Sequence, residues 1–473
     1  MCFQQASEFD EQDAPAVQYS PVITLSAGHL HAWRAAFQRE TSMSKYTAPP
    51  YMNDVLPFPS KKEAWLHTAR WRYVESAFRA VCRRYGYREI RTPILEQTEL
   101  FTRSIGEATD IVSKEMFTFT DRGGRSMTLK PEGTAPAVRA CLEHNLFNEH
   151  PVLKLYYQGQ NFRYERGQKG RYRQHQQLGV EVFGSTDAAI DAEVIQLAME
   201  FYRTIGITEQ ELHINSVGTP ESRKAYLEAL RDFTRPNLEQ FSQEGQMRFE
   251  VNPLRMLDTK DSGDLKLLEG APNLVDFLDD DSREHFELLQ AYLTSAGVPY
   301  VIDHRLVRGF DYYTRTAFEI VGKNLGAQSA LGGGGRYDGL VAECGGTSTP
   351  GIGFGLGMER CMLVLDTLGI ELPADDERPL AFVVTLGDEK TVRPVAVKLL
   401  SELRAAGIAV DMDYRYKKFG QQARTADELG ARYLLVLGEG EIAEGVVGLR
   451  DQATKEQRNV PLAEVTQELL ALA

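Results

Sequence analysis

Between positions 162 and 173 the chain carries Arg163, Arg166, Lys169, Arg171 and Arg173 against one acid, Glu165, with Tyr164 and Tyr172 set among them. Arginines interleaved with aromatic rings can hold phosphate and stack on bases at the same time, which weighs against a merely solvated basic hairpin. Gly167 and Gly170 give a loop whose backbone can come near a ligand. Arg163 stands just before that loop, on a strand-like segment. A guanidinium held rigidly there offers a planar fork that takes two oxygens of one phosphate. Further on, Leu178, Val180 and Val182 alternate with Gln177, Gly179, Glu181 and Phe183. A period of two puts Gln177, Gly179 and Glu181 on one face.

The elements that position these groups can be read outward from them. The segments 154–159 and 162–164 pair with 177–183 across the basic loop, an antiparallel hairpin that departs from a βαβ rhythm. Upstream, Trp65, Ala69, Tyr73, Ala77 and Val81 recur every fourth residue, and Val74, Phe78 and Cys82 widen the stripe. That spacing predicts a helix over 61–85. Ser60 and Glu63 have capping-box spacing and Gly86 is a natural stop. A strand over 87–95 is interrupted by Pro93. Downstream come a helix over 187–205 and a mainly helical insertion at about 219–300, with helices near 220–232 and 282–296. Strands follow at 317–321 and 351–357, the latter leading into a helix over 358–368. Residues 371–379, charged and with two prolines, read as a linker. Beyond it strands at 381–386, 408–412 and 433–437 alternate with helices at 391–406 and 421–429, a small α/β domain over 380–473. The expected class is therefore α+β: an antiparallel sheet flanked by helices over 46–370, then the linker and the α/β domain. Residues 1–45 show no sustained period. They are either a disordered tail or an over-extended reading frame with the true start at Met43.

Bulk properties narrow the function classes. A length of 473 residues allows about three domains. The acidic N-terminus has no apolar stretch and does not read as a secretory signal, and no run approaches the ~18 apolar residues of a membrane span. Five scattered cysteines (Cys2, Cys82, Cys141, Cys344 and Cys361) argue against a disulfide framework or a Cys-rich zinc site and fit a reducing cytoplasm. A net charge of −14 argues against indiscriminate nucleic-acid binding, so any such partner must be met by local basic patches.

Residues 163–174 resemble motif 2 of class II aminoacyl-tRNA synthetases, in the form carried by the histidyl-tRNA synthetase family: Arg-x-Glu-Arg, two residues, then Lys-Gly-Arg-Tyr-Arg-Gln. Gly86, Tyr87 and Pro93 resemble motif 1, and residues 351–360, Gly-Ile-Gly-Phe-Gly-Leu-Gly-Met-Glu-Arg, resemble motif 3. Residues 308–313, Arg-Gly-Phe-Asp-Tyr-Tyr, and 331–338, Leu-Gly-Gly-Gly-Gly-Arg-Tyr-Asp, resemble the two signatures peculiar to the histidyl family. The likeness runs from about Met52 to the C-terminus. There are two departures: Gly167 stands where the family usually has proline, and Pro50 and Tyr51 stand where it usually has Arg-Gly.

The resemblance implies a class II catalytic core on the antiparallel sheet and an anticodon-binding domain at 380–473. It also implies a homodimer through motif 1 (about 86–93). The reaction would be activation of L-histidine by ATP with Mg²⁺, without a prosthetic group, followed by transfer to the 3′ end of tRNA(His). Arg163 and Arg308 would clamp the α-phosphate, with Arg360 and the magnesium on the β,γ end and Glu165 also at the nucleotide. Imidazole needs an acceptor for its N–H and a second polar group to fix the ring. Glu181 would be that acceptor, beside Tyr312 and Tyr313, while Glu132, Gly133, Thr134 and Gln177 would hold the ammonium and carboxylate. Arg166 and Gln168 would meet the acceptor end of tRNA, and Arg415, Lys417 and Lys418 its anticodon end. The same family contains a non-catalytic paralogue that serves as regulatory subunit of ATP-phosphoribosyltransferase. That paralogue typically lacks the C-terminal domain and erodes the signature around 308. Both are present here.

Overall fold

The two-residue alternation around Glu181 is realised at the centre of a twisted eight-stranded sheet. The computed structural model describes residues 46–473 except 107, 108, 110, 166, 168, 169, 311, 324–329, 374–377, 416 and 473. The expectations placed on residues 1–45 thus lie outside the described residues. Across the sheet the strands run Arg88–Glu89, Leu153–Phe162, Gln174–Phe183, Gly351–Gly357, Ala330–Arg336, Thr314–Gly322, Gln210–Ser216 and Val301–Ile302. The two outermost pairings are parallel and every inner one is antiparallel.

One face of this sheet is apolar and covered. Leu178, Val180, Val182, Phe354 and Ile320 pack against Val74, Phe78 and Val81 of helix Thr68–Arg84, Ile195 and Phe201 of helix Ala188–Thr204, and Met362 of helix Met358–Thr367. Phe78 meets the rings of Tyr156, Phe201 and Phe354 edge-on, with centroids 6.1, 5.2 and 6.4 Å apart. Because alternate residues of a strand point to opposite faces, covering this face turns Gln177, Gly179 and Glu181 toward the other, where the site lies.

The helix expected over 61–85 is broken. A 3-10 helix Lys61–Leu66 gives way to the α-helix Thr68–Arg84, with His67 extended between them. The break has a local cause: Leu56 bonds across it, its N–H to the Leu66 carbonyl (2.9 Å) and its carbonyl to the Thr68 N–H (3.0 Å). His67 Nδ1 then caps the second helix by accepting from the Ala69 N–H at 3.2 Å. Ser60 donates to the Glu63 carboxylate (2.8 Å) and caps no backbone group.

Several strands stand where none was expected, two of them next to the site or the helical segment. Ala330–Arg336 contains the glycine run, and Gln210–Ser216 precedes the helical segment. A separate three-stranded sheet orders Leu95–Gln97, Ser126–Leu129 and Phe117–Thr120. Helices Pro220–Thr234, Gln243–Val251, Ser262–Leu267 and Asp280–Ser295 fill the stretch between Gln210–Ser216 and Val301–Ile302. The last of them returns to the sheet's helical layer, where His285 meets the buried Asp191 of Ala188–Thr204 at 2.8 Å. Asp191 also accepts from Thr316 Oγ1 (2.6 Å) and from the fully buried Arg336.

The C-terminal segment forms its own five-stranded sheet, ordered Val410–Met412, Ala381–Thr385, Tyr433–Leu437, Val446–Asp451 and Gln457–Pro461. The first three strands are parallel and are linked by helices Glu389–Ala405 and Phe419–Glu428. The remaining pairings are antiparallel.

Candidate active site

Glycines make the room into which the polar side chains fit. Gly353 lies opposite Glu181 across the strand pair, and a β-carbon there would stand 2.1 Å from Glu181 Oε2. One on Gly355 would stand 1.9 Å from Gln177 Nε2. Gly133 and Gly179 leave the space taken by the Tyr157 ring, each missing β-carbon falling 2.3 Å from it. On the neighbouring strand, Gly333 makes way for Arg308 and Gly335 for the ring of Tyr313. The glycines at 351–357 and 332–335 therefore act as spacers on a thin part of the sheet, over which larger side chains lie.

Glu181 is fully buried. It accepts from Thr134 Oγ1 (2.8 Å), Tyr157 Oη (3.0 Å) and Tyr337 Oη. Burial pushes its carboxyl up to about 8, against the pull of those hydroxyl donors toward the charged form. Glu132 is buried beside it and is also raised by burial. Its two oxygens accept the N–H groups of Thr134 (2.6 Å) and Ala135 (2.8 Å), so it caps the start of helix Thr134–Glu143. Gln177 accepts from the Asn161 amide at 2.6 Å.

Around this carboxylate pair runs an aromatic wall. Phe310 stacks on Tyr312 with centroids 5.1 Å apart and planes 7° from parallel, and Tyr312 meets Tyr313 at 4.8 Å and Tyr337 at 5.7 Å. A cavity of about 210 Å³ is lined by Glu132, Thr134, Gln177, Tyr312, Tyr313 and Tyr337, together with Arg163 and Arg308.

The two arginines reach it from different elements. Arg163, at the end of strand Leu153–Phe162, is held by its Nε donating to the Pro131 carbonyl at 2.8 Å, with its guanidinium over the Phe310 ring. Arg308 comes from the loop before strand Thr314–Gly322. It pairs with Glu319 at 3.4 Å, while its buried Nε has no hydrogen-bond partner among the described residues. Such a donor is left for a ligand.

A second cavity of about 220 Å³ adjoins the first and shares Arg308, His175, Gly333, Gly355 and Gly357 with it. It is lined further by Glu165, Arg171, Glu319, Glu359 and Arg360. Arg360 donates to the Ala330 carbonyl, and burial followed by the charge of Arg171 lowers its affinity for the proton. Glu359 takes the Gln176 N–H on both oxygens, at 2.9 and 3.1 Å, and burial pushes it up to about 7. Glu165 lies 3.8 Å from Arg163 and 3.6 Å from Arg171.

The structure thus brings Arg163, Arg308, Glu132, Thr134, Gln177, Tyr312 and Tyr313 to the lining of one cavity and Glu165 and Arg360 to that of its neighbour. Gly133 and Glu181 do not line the cavity: Glu181 lies behind it, bonded to the hydroxyls of Thr134 and Tyr337, which do. Arg166 and Gln168 lie outside the described residues. Arg415, Lys417 and Lys418 stand far along the chain, in the turn before helix Phe419–Glu428, where Asp413 accepts the backbone N–H groups of Arg415 (3.1 Å) and Lys417 (2.8 Å).

Sequence reasoning missed Tyr157, Tyr337 and His175. The last was within reach of the same alternation: positions 175, 177, 179 and 181 share a face. Burial, and then the charge of Arg163, holds the His175 imidazole down to about 3, so it is neutral at any working pH.

A histidyl-tRNA synthetase family profile matches residues 61–361, and an anticodon-binding-domain profile matches residues 381–472. Histidine–tRNA ligase of Pelotomaculum thermopropionicum is 50% identical over 423 residues, covering 89% of this chain and 97% of that protein. The one of Desulforamulus reducens is 49% identical over 419 residues, covering 89% and 97%. Among solved structures, apo histidyl-tRNA synthetase of S. aureus superposes with a TM-score of 0.74 at 38% identity, covering 90% of this chain and 99% of that one.

Proposed function

From the fact that this chain belongs to the histidyl-tRNA synthetase family and is a histidine–tRNA ligase, we propose how its own residues divide the work. Histidine lies in the aromatic-walled cavity. Glu181 accepts an imidazole N–H while Tyr312 and Tyr313 wall the ring. Gln177, Glu132, Gly133 and Thr134 face the ammonium and carboxylate. The oxygens of Glu132 that cap the helix keep further lone pairs for an ammonium donor. ATP lies in the adjoining cavity, with Arg163 and Arg308 on its α-phosphate and Glu165 and Arg360 along the rest.

The histidine carboxylate oxygen attacks the α-phosphorus, the bond from that phosphorus to the bridging oxygen breaks, and pyrophosphate leaves. Negative charge grows on the phosphoryl oxygens, where two preset guanidinium groups stabilise it. The terminal ribose hydroxyl of tRNA(His) then attacks the adenylate carbonyl and AMP leaves. Arg166 and Gln168 serve the acceptor end, and Arg415, Lys417 and Lys418 the anticodon end. The observation that carries this reading is the convergence of Arg163 and Arg308 on one cavity, with Arg308, whose buried Nε has no hydrogen-bond partner among the described residues, also on the wall shared with the adjoining cavity.

Among the described residues no group of three or more His, Cys, Asp or Glu side chains could hold a metal ion. Magnesium, which keeps much of its water and binds through substrate phosphates and one or two carboxylates, fits Glu319 and Glu359 at the nucleotide cavity, where it would neutralise phosphate charge. The matched spans support a catalytic core over 46–370, a linker at 371–379 and an anticodon-binding domain at 380–473, and the helices between Gln210–Ser216 and Val301–Ile302 support a helical insertion at about 219–300. Half-exposed Ile94 and Leu95, next in the chain to residues 86–93, and Phe119, in the same three-stranded sheet as Leu95, support a homodimer through that region. No helix of the described residues is long and apolar enough to cross a membrane. The free thiols of Cys82, Cys141, Cys344 and Cys361 support a reducing, cytoplasmic setting.

The test is Arg308→Ala in histidine-dependent exchange of pyrophosphate into ATP. Losing a donor preset for developing charge costs about 10²- to 10³-fold. A variant that folds and exchanges at near the parent rate would remove Arg308 from the reaction.

A further inference from the structure

Tyr51 holds a position that resists a side chain. Its φ is +62°, a left-handed conformation that costs an L-residue free energy and that glycine takes readily. The residue is nonetheless built into the loop that follows Arg163. Its carbonyl accepts the Arg173 N–H at 2.9 Å, and the Arg173 carbonyl in turn accepts the Arg163 N–H at 2.9 Å. A backbone ladder therefore joins Tyr51, Arg173 and Arg163. The Arg173 guanidinium stands 3.7 Å from the Tyr164 ring centre and 5.4 Å from that of Tyr51.

The ring of Tyr51 also lies directly on Gly167. A β-carbon on Gly167 would fall 2.0 Å from Cδ1, 2.2 Å from Cε1 and 2.2 Å from Cγ of that ring. Cγ is the root of the ring, so a swing of the ring tip alone cannot relieve the overlap. The two departures from the family pattern thus meet in space: a bulky residue at a left-handed position fills the gap left by a missing side chain in the loop.

We propose that Tyr51 is a positioning residue of the 163–173 loop, interlocked with Gly167, and that through Arg173 it sets the placement of Arg163 for the nucleotide. The inference rests on the reading that this loop serves ATP and tRNA.

The experiment is a double-mutant cycle of Tyr51→Gly and Gly167→Ala in the full chain, read by histidine-dependent pyrophosphate exchange. Trypsin cleavage at the basic residues of the loop, mapped by mass spectrometry, gives a second readout. A displacement of about 1 Å in a reacting group costs up to about 10²-fold. Gly167→Ala is accordingly expected to lower kcat/KM for ATP about tenfold or more beside Tyr51, and less than about twofold in the Tyr51→Gly background. The loss falls on KM for ATP, with KM for histidine within about twofold. Loop cleavage is expected to rise in the Gly167→Ala single variant and to return in the double variant to the level of Tyr51→Gly. Equal effects of Gly167→Ala in both backgrounds, in either readout, overturn the interlock. A parent protein that does not exchange at all would sink the functional reading, and the cleavage pattern would still decide the interlock.

Discussion

Replacing Glu181 with glutamine keeps the shape of the side chain and removes its ability to ionise, which makes it the sharpest probe of histidine recognition. The Thr134, Tyr157 and Tyr337 hydroxyls that surround it can reorient, so the fold is expected to survive. Losing a charged hydrogen-bond partner costs about 1.5–3 kcal/mol. A site that leaves buried groups unpaired discriminates more steeply still, by about 10⁴-fold in favourable cases. We expect kcat/KM for histidine to fall by at least about 10²-fold while KM for ATP moves little. The pH dependence is as informative. With the Glu181 carboxyl pushed up to about 8, the empty protein carries it mostly protonated at neutral pH. The parent's kcat/KM should therefore climb to a plateau above about pH 8, because that parameter reports groups of the free enzyme. The Gln variant should lose this limb and keep only the one near ~6.5 from the free substrate's own imidazole. Stability without ligand moves in the matching sense. A carboxyl raised on folding leaves the native state binding more protons between about pH 4.5 and pH 8, so stability falls as pH rises through that window. The variant lacks this fall and should melt higher than the parent at pH 8–9, by calorimetry. Exchange kinetics from pH 6 to 9 decide the matter. A Gln variant within a few-fold of the parent, or one that keeps the limb near pH 8, would refute Glu181 as the imidazole acceptor.

Other consequences follow from the same geometry. Gly353→Ala forces a β-carbon against the Glu181 carboxylate; overpacking of this kind costs about 1–3 kcal/mol, and we expect a lower melting temperature together with a raised KM for histidine. Asp191→Asn takes from the fully buried Arg336 one of its two carboxylate partners, the other being Asp338 at 3.0 Å; breaking a buried pair costs up to about 3–5 kcal/mol, seen as a lower urea midpoint. Changing Arg415, Lys417 and Lys418 together to Ala should raise KM for tRNA and flatten its dependence on salt, since each lost phosphate contact removes about one unit from the slope. An unaltered slope would take these residues out of the tRNA interface.

Legibility in the sequence followed the strength of local signals. The strand Gln174–Phe183 could be read because one of its faces packs on helices and the other does not, leaving a clean period of two. The C-terminal alternation was legible for a different reason: Ala381–Thr385 and Tyr433–Leu437 are buried throughout and read as short continuous apolar runs between helical segments. The strand Ala330–Arg336 was not, because glycine has no preference for extended structure. Its role comes from the side chains of Arg308 and Tyr313, which arrive from elsewhere and need the missing β-carbons. The break at His67 was hidden because the helical stripe continues across it; the competing bonds come from Leu56, outside the stripe. Arg163 and Arg308 were singled out through the motifs they stand in, and Glu181 through the alternation of its strand. The hydroxyl donors Tyr157 and Tyr337 reach Glu181 only once four strands lie side by side. Glu132 was read as a ligand for substrate, and its hydrogen bonds to Thr134 and Ala135 add a helix-capping part that its sequence position did not reveal.

The decisive measurement for these assignments is pyrophosphate exchange into ATP by the purified chain with Mg²⁺, run with each of the twenty amino acids in turn. Exchange is expected with histidine, and with no other amino acid above about one part in 10³, because the buried carboxylate and hydroxyl groups around Glu181 are left unpaired by any other side chain. No exchange with histidine, or equal exchange with another amino acid, would contradict them.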